Sequence, residues 1–518
     1  MSYKDQLSDL DRSSETSLTQ QLVDAFSSAI RSGELAPDEQ LPPTRELAEL
    51  ASVNHLTAVR AYRKLRELGL VSAHVGRGTF VRGAGRGGAA APGKVRDSIA
   101  WQRYALPEYE ESYGDRVLAE MHQHVVTEGM IALSVGYPSK RIFPVAELRE
   151  ATDAVLREQP GRALQYSDVQ GVPEFCEQIA ELSAARGAPE DPRDIVATNG
   201  ASQALSVTMR ALLEPGDAVA CEDPSFMSVI RAVRGSGARI LGVPVDEDGL
   251  DVDALEALLA RNEIKALAIQ PRLHNPTGRD LSSARRERLL ALARRHGFFI
   301  VEDGIYGDLR FGSGPHMGSD PRRGSDPGSH PRSLRAEAPA HVVYCDSFSK
   351  TMSGGLRAGW VAASGPVLDR IIAEKRSDDI HSNTLTQLTI ARYLAGGRYA
   401  EQATRARAFY REQCATLLEA IDEHFGADAF YLAPLGGGHV WLTLAIPIDE
   451  RELVEEAARE GVACVPGAAM SIERRRDVSL RLSFGYLEPD ELVEGVRRIA
   501  GAARSLRGRP ARSAVAPV

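Results

Sequence analysis

The tetrapeptide SFSK at 347–350 ends in Lys350 and follows VVYCD, an apolar run of strand character. A lysine on a surface is an ordinary solvated cation. One at the end of a strand in an open α/β sheet lies where such sheets bind ligands. Its amine can attack an aldehyde only when unprotonated, which desolvation or neighbouring positive charge favours. Other polar residues follow strand-like runs in the same way. TNGASQAL at 198–205 opens a helical pattern, so Gly200, Ala201 and Ser202 offer backbone amides and a hydroxyl to an anion at a helix N-terminus. EDGIYGDL at 302–309 follows FFIV and holds Asp303 and Tyr306, and RLSF at 481–484 follows DVSL and begins with Arg481. Taken singly, Phe226 in EDPSF reads as a core residue and Arg481 as a basic strand residue.

Their order carries more than any one of them. SFSKTMSGGLRAGW at 347–360 resembles the lysine-bearing signature of fold-type I pyridoxal-phosphate enzymes, the aspartate aminotransferase family. The resemblance extends over essentially all of 110–505. It implies that Lys350 attaches the aldehyde of pyridoxal 5'-phosphate, and that Ser347 and Arg357 hold its phosphate beside Gly200, Ala201 and Ser202. An arginine suits that task because its guanidinium pairs with phosphate oxygens as a fork. It also implies that Phe226 stacks on the pyridine ring and that Asn275 of NPTG reaches the ring hydroxyl. Asp303 would pair with the ring nitrogen, Tyr306 would reach the ring oxygen, and Arg481 would clamp a carboxylate of the ligand. Tyr166, in LQYSDVQG, resembles a tyrosine that serves the neighbouring subunit's site, which implies a homodimer. Gly354-Gly355 stands where many relatives carry Pro-Gly, a small departure. Arg272 and His274 in QPRLHNPTG lie beside Asn275 without an assigned role.

The elements that must position these residues are short and alternate. DIVATN, DAVACE, KALAIQP, FFIVED, VVYCDS and AGWVAA read as apolar strands, with helix-like segments between many of them. That rhythm predicts an α/β fold with a mainly parallel sheet, and the resemblance adds a small second α/β lobe. The expected aminotransferase-like domain spans 110–507. A Gly-, Pro- and Ser-dense stretch at 312–339 reads as a mobile surface insertion, and 508–518 reads as a disordered tail.

The first 82 residues read differently. Between Arg60 and Arg86 stand seven Lys/Arg against one acid, Glu67, in a chain of 518 residues with net charge -9. The net charge argues against non-specific nucleic-acid binding by the whole surface, so any DNA contact must be local. Apolar spacing predicts a helix within 18–35. A second helix would be N-capped by Thr44 and a third, from His55 to Leu68, by Asn54. LVSAHVGRGTFV then reads as a short hairpin. The stretch from Leu41 to Val81 resembles the winged helix-turn-helix of the GntR family. The resemblance implies DNA contacts by Arg45, Thr57 and Arg60, with Gly76 and Arg77 in the wing. Residues 83–109, rich in Gly and Ala, read as a flexible linker.

A GntR-like module, a linker and an aminotransferase-like domain together resemble the MocR/GabR type of transcription regulator. That implies operator DNA as a partner, with an amine, an amino acid or pyridoxal phosphate itself as effector at Lys350. A working aminotransferase with an appended DNA-binding domain is the alternative. The five cysteines are scattered without CxxC spacing, so reduced thiols and no zinc site are expected. The polar N-terminus has no secretory pattern, and no run of about 18 apolar residues suggests a membrane span. A cytoplasmic location is expected.

Overall fold

The computed structural model describes residues 10, 17–32, 34–36, 39–68, 70–74, 78–81, 112–311, 331–473 and 477–507. The chain divides into two compact units, at Met1–Tyr109 and Glu110–Val518. The linker 83–109, the tail 508–518, Gly76 and Arg77 all fall outside the described residues.

In the N-terminal unit, helices α1 (Leu18–Ser32), α2 (Thr44–Leu50) and α3 (His55–Glu67) precede a hairpin of β1 (Val71–His74) and β2 (Gly78–Val81). The hairpin strands are antiparallel. Leu22, Phe26, Leu47, Ala58, Ala61 and Leu65 close one small core. Asn54 caps α3, its side chain accepting from the Leu56 amide at 2.9 Å. Thr44 does not cap α2. It is the first helical residue after the capping position Pro43, and its hydroxyl lies 3.2 Å from His55 Nε2. That side chain ties the helix pair together in place of serving the backbone.

The second unit is built on an eight-stranded sheet. In chain order its strands are β3 (Ile195–Thr198), β4 (Ala218–Asp223), β5 (Arg239–Asp246), β6 (Gly249–Leu250), β7 (Ile264–Ile269), β8 (Phe299–Asp303), β9 (Val342–Ser347) and β10 (Gly359–Ala362). Their spatial order is β3-β10-β9-β8-β7-β4-β5-β6. The run β9-β8-β7-β4-β5 is parallel. The reversed strands are β10, antiparallel to both β9 and β3, and the short edge strand β6, antiparallel to β5. Alternate residues serve opposite faces: Ala266 and Ala268 join one core cluster, Leu267 and Ile269 the other. A sheet covered on both faces explains why its strands read as unbroken apolar runs. β5 lacks that signature. RILGVPVD contains Gly242 and Pro244 and is half exposed near the sheet edge.

A smaller antiparallel sheet follows, in the order β11 (Ala429–Tyr431), β12 (His439–Leu444), β14 (Val478–Ser483) and β13 (Val465–Pro466). It shares a core with two long helices, α4 (Tyr399–Phe425) and α5 (Pro489–Leu506). The stretch 312–339 is not uniformly surface: residues 331–339 are described, and Leu334, Arg335 and Ala338 are buried there. Arg335 donates to Glu190 at 2.7 Å and to the Val342 carbonyl at 2.8 Å, which ties the segment to the start of β9. Residues 312–330 lie outside the described residues. All five cysteines are free and buried. Among the described residues no helix is long and apolar enough to cross a membrane.

Candidate functional site

Strands β3, β4, β7, β8 and β9 point the same way, so their C-terminal ends share one edge. The loops leaving that edge carry Gly200, Phe226, Asn275, Asp303 and Lys350. A cavity of about 640 Å³ opens there, lined by Ala201, Ser202, Phe226, Asn275, Asp303, Tyr306, Ser349, Lys350, Arg357, His439 and Arg481. Gly136, Tyr137, Phe143, Leu118, Met121 and Tyr486 supply further wall.

Lys350 Nζ donates to the Gly136 carbonyl at 2.6 Å and lies 5.9 Å from the Tyr306 ring centre. Burial of its amine, reinforced by Arg481 and Arg357, lowers its pKa to about 8, against the pull of Asp303. Asp303 ends β8 and accepts from the Ile305 amide at 3.1 Å. Burial raises its carboxyl to about 7. Arg481 is fully buried and donates to the Ser134 carbonyl at 2.5 Å. Its Nε has no hydrogen-bond partner, and no acidic side chain pairs with it among the described residues. Burial lowers its pKa to about 10, so it stays charged near neutral pH. A buried, unpaired guanidinium is costly, and its position on the cavity wall marks a place for an anion.

Gly200 precedes the helix Ala201–Leu212 at φ +83, and an added Cβ there would sit 2.8 Å from the Arg357 guanidinium. Arg357 Nη2 in turn donates to the Asn199 carbonyl at 2.6 Å. A helix N-terminus and an arginine thus meet across a residue that only glycine fits. Ser347 is the last residue of β9 and its hydroxyl accepts from the Ser349 amide at 3.3 Å, while Ser349 itself lies on the cavity wall. Tyr166 is 76% exposed, stacks edge-on with His381 and does not line this cavity. Arg272 is buried against Tyr344, to whose hydroxyl it donates at 3.1 Å, away from the cavity. His274 is buried with Nδ1 2.9 Å from the Thr277 hydroxyl.

Sequence reasoning missed His439. Its Nε2 lies 2.8 Å from the Tyr306 hydroxyl and its Nδ1 2.9 Å from Ser483 Oγ. The only sequence signal is the glycine run before it in GGGHVW, which lets the strand approach the Tyr306 loop closely. In the N-terminal unit, Arg45 and Arg60 are exposed and Thr57 is half-buried. Arg60 shares the outer face of α3 with the exposed Leu56 and Val59.

The aminotransferase class I and II family matches residues 128–499, and the bacterial regulatory gntR family matches residues 18–81. The chain belongs to the aminotransferase class I and II family. Within that family it is 33% identical over 380 residues to a 2-aminoadipate transaminase of Thermus thermophilus, covering 73% of this chain and 91% of the relative. An uncharacterized HTH-type transcriptional regulator of Bacillus subtilis, YisV, is 27% identical over 497 residues, covering 96% of this chain and 98% of YisV. The crystal structure of LysN, an α-aminoadipate aminotransferase from Thermus thermophilus complexed with N-(5'-phosphopyridoxyl)-L-leucine, superposes with a TM-score of 0.69. It is 31% identical and covers 78% of this chain and 98% of that one. The aminotransferase class I and II cofactor is pyridoxal phosphate. The cavity fits it: the buried Asn275 Oδ1 has no partner, the Gly200–Arg357 cradle suits a phosphate, and the lysine amine is depressed toward neutrality.

Proposed function

We propose that this chain is a transcription regulator whose operator affinity is set by a carboxylate-bearing amine, or by pyridoxal phosphate itself, in the Lys350 cavity. The observation that carries this is the pairing of Lys350, depressed to about 8, with the buried and unpaired Arg481 on one wall. The gntR-type unit in the same chain supplies the output. Pyridoxal phosphate, when bound, supplies an electrophilic aldehyde carbon and an electron-accepting ring. Lys350 would hold the aldehyde carbon, and its lowered pKa keeps part of its amine neutral for that task. Asp303 would face the ring nitrogen, where a cation would relieve its own desolvation. Asn275 and Tyr306 would reach the ring oxygen, and Phe226 would pack on the ring face. Gly200, Ala201, Ser202, Ser347 and Arg357 would take the phosphate, with Ser349 beside them on the cavity wall, and Arg481 would take the effector carboxylate. The exposed Tyr166 suits a contribution to a second copy's site, which supports a homodimer.

In the N-terminal unit, α3 would enter the major groove, with Arg45, Thr57 and Arg60 toward DNA. The effector can move operator affinity only by binding two arrangements of the protein unequally. The second reading, a working aminotransferase, is favoured by the same depressed lysine, which suits proton transfer as well as attachment. Mixing the loaded protein with a panel of amino acids separates them. The regulator reading expects a change in visible absorbance without sustained keto-acid release. Continuous keto-acid production at substrate-saturated rates would establish the enzyme instead.

A further inference from the structure

His439 and Ser483 face each other across the small sheet as register partners on β12 and β14. Ser483 and Arg481 project to the same side of β14, two residues apart. His439 reaches from that sheet to Tyr306, which stands on the loop after β8 of the large sheet. The three side chains form one hydrogen-bonded line, Ser483–His439–Tyr306, and all three are buried. The charged groups nearest the imidazole are Arg481 and Lys350, and together with burial they hold its pKa well below the usual histidine value. A neutral imidazole has one donor and one acceptor nitrogen, so the line has a direction.

We infer that His439 is the positioning residue for Tyr306, held by Ser483 in the tautomer that leaves the phenol proton free to point into the cavity. In that arrangement the Ser483 hydroxyl donates to Nδ1 and Nε2–H donates to the Tyr306 oxygen. The Tyr306 O–H is then left for an acceptor in the cavity. In the reverse arrangement Tyr306 would spend its proton on Nε2 and face the cofactor oxygen with lone pairs. The inference rests on the proposed placement of Tyr306 against the cofactor oxygen. It adds that a serine off the cavity wall, Ser483, controls that contact through a histidine.

A double-mutant cycle on the full-length protein tests this, with pyridoxal phosphate affinity read by absorbance titration. His439→Phe and Ser483→Ala are each expected to weaken binding about three- to tenfold, the scale of one hydrogen bond. In a Tyr306→Phe background each should change affinity less than about twofold, since the group they act through is gone. His439→Gln, whose amide can reach the Nε2 position, should recover much of the loss. Equal effects with and without the Tyr306 hydroxyl would overturn the inference and leave His439 a packing residue. So would unchanged affinity in both single variants. Should His439→Phe fail to fold, Ser483→Ala with its own cycle decides the matter. A wild-type protein that binds no pyridoxal phosphate would instead refute the reading of the cavity itself.

Discussion

A lysine amine becomes a nucleophile near neutral pH only if its surroundings disfavour the cation. At a pKa of about 8, about a tenth of Lys350 is unprotonated at pH 7, against about one part in 2500 for an ordinary lysine. The rate at which cofactor-free protein develops visible absorbance on mixing with pyridoxal phosphate should therefore climb with pH through about 8 and then level off. Lys350→Ala should develop no such band. A climb that continues to pH 10 would mean that the cavity does not depress the amine. Asp303 makes the opposite case. Its carboxyl is raised to about 7 by burial, so folding without cofactor favours its protonated form. That contribution is full below about pH 4, where the unfolded carboxyl is also protonated, and is lost as pH rises through about 7. Asp303→Asn should thus stabilise the cofactor-free protein at pH 8, by on the order of 2 kcal/mol, while weakening cofactor binding. Calorimetry of the cofactor-free variant checks this, and a loss of stability at pH 8 would contradict it.

At the scale of elements, five parallel strand ends and one helix N-terminus bring together residues spread from Gly200 to Lys350. Gly200→Ala tests the cradle. It forces a Cβ to 2.8 Å from Arg357 at a φ of +83, and should cost cofactor affinity at least about tenfold. Gly297 has φ +71 with nothing within 4 Å of an added Cβ, so Gly297→Ala controls for backbone strain alone. The control should lower thermal stability and leave affinity intact; equal affinity losses would show that strain, and not the Arg357 contact, is responsible. Much of this cavity was legible in the sequence because the motifs are local. Asp303, Lys350 and the Gly200 turn each follow directly on an apolar strand, and parallel strands carry such positions to one edge. His439 was not legible, because its role depends on register with Ser483 and on contact with a loop 133 residues away. Ser349 was not singled out, because only the length of β9, which ends at Ser347, brings it to the cavity wall. β5 was missed because a half-exposed strand with Gly242 and Pro244, next to the sheet edge, lacks the apolar run of a buried one. Residues 331–339 read like their Gly- and Pro-rich neighbours, although a buried arginine, Arg335, anchors them.

At the scale of the whole molecule, a net charge of -9 confines DNA recognition to a local basic stretch, the one between Arg60 and Arg86. The same chain holds a cavity suited to an amine and a carboxylate. If effector and operator sites are coupled as proposed, the coupling free energy is typically about 1–3 kcal/mol and is reciprocal. Whatever raises operator affinity must equally be bound more tightly by the DNA-bound protein. The most direct test is operator affinity of the pyridoxal-phosphate-loaded protein with and without an amine that alters its absorbance, in wild type and in Lys350→Ala. The account predicts a shift in operator Kd of at least about fivefold in wild type and none in the variant. An operator Kd indifferent to every absorbance-changing amine, or shifted equally without Lys350, would contradict it.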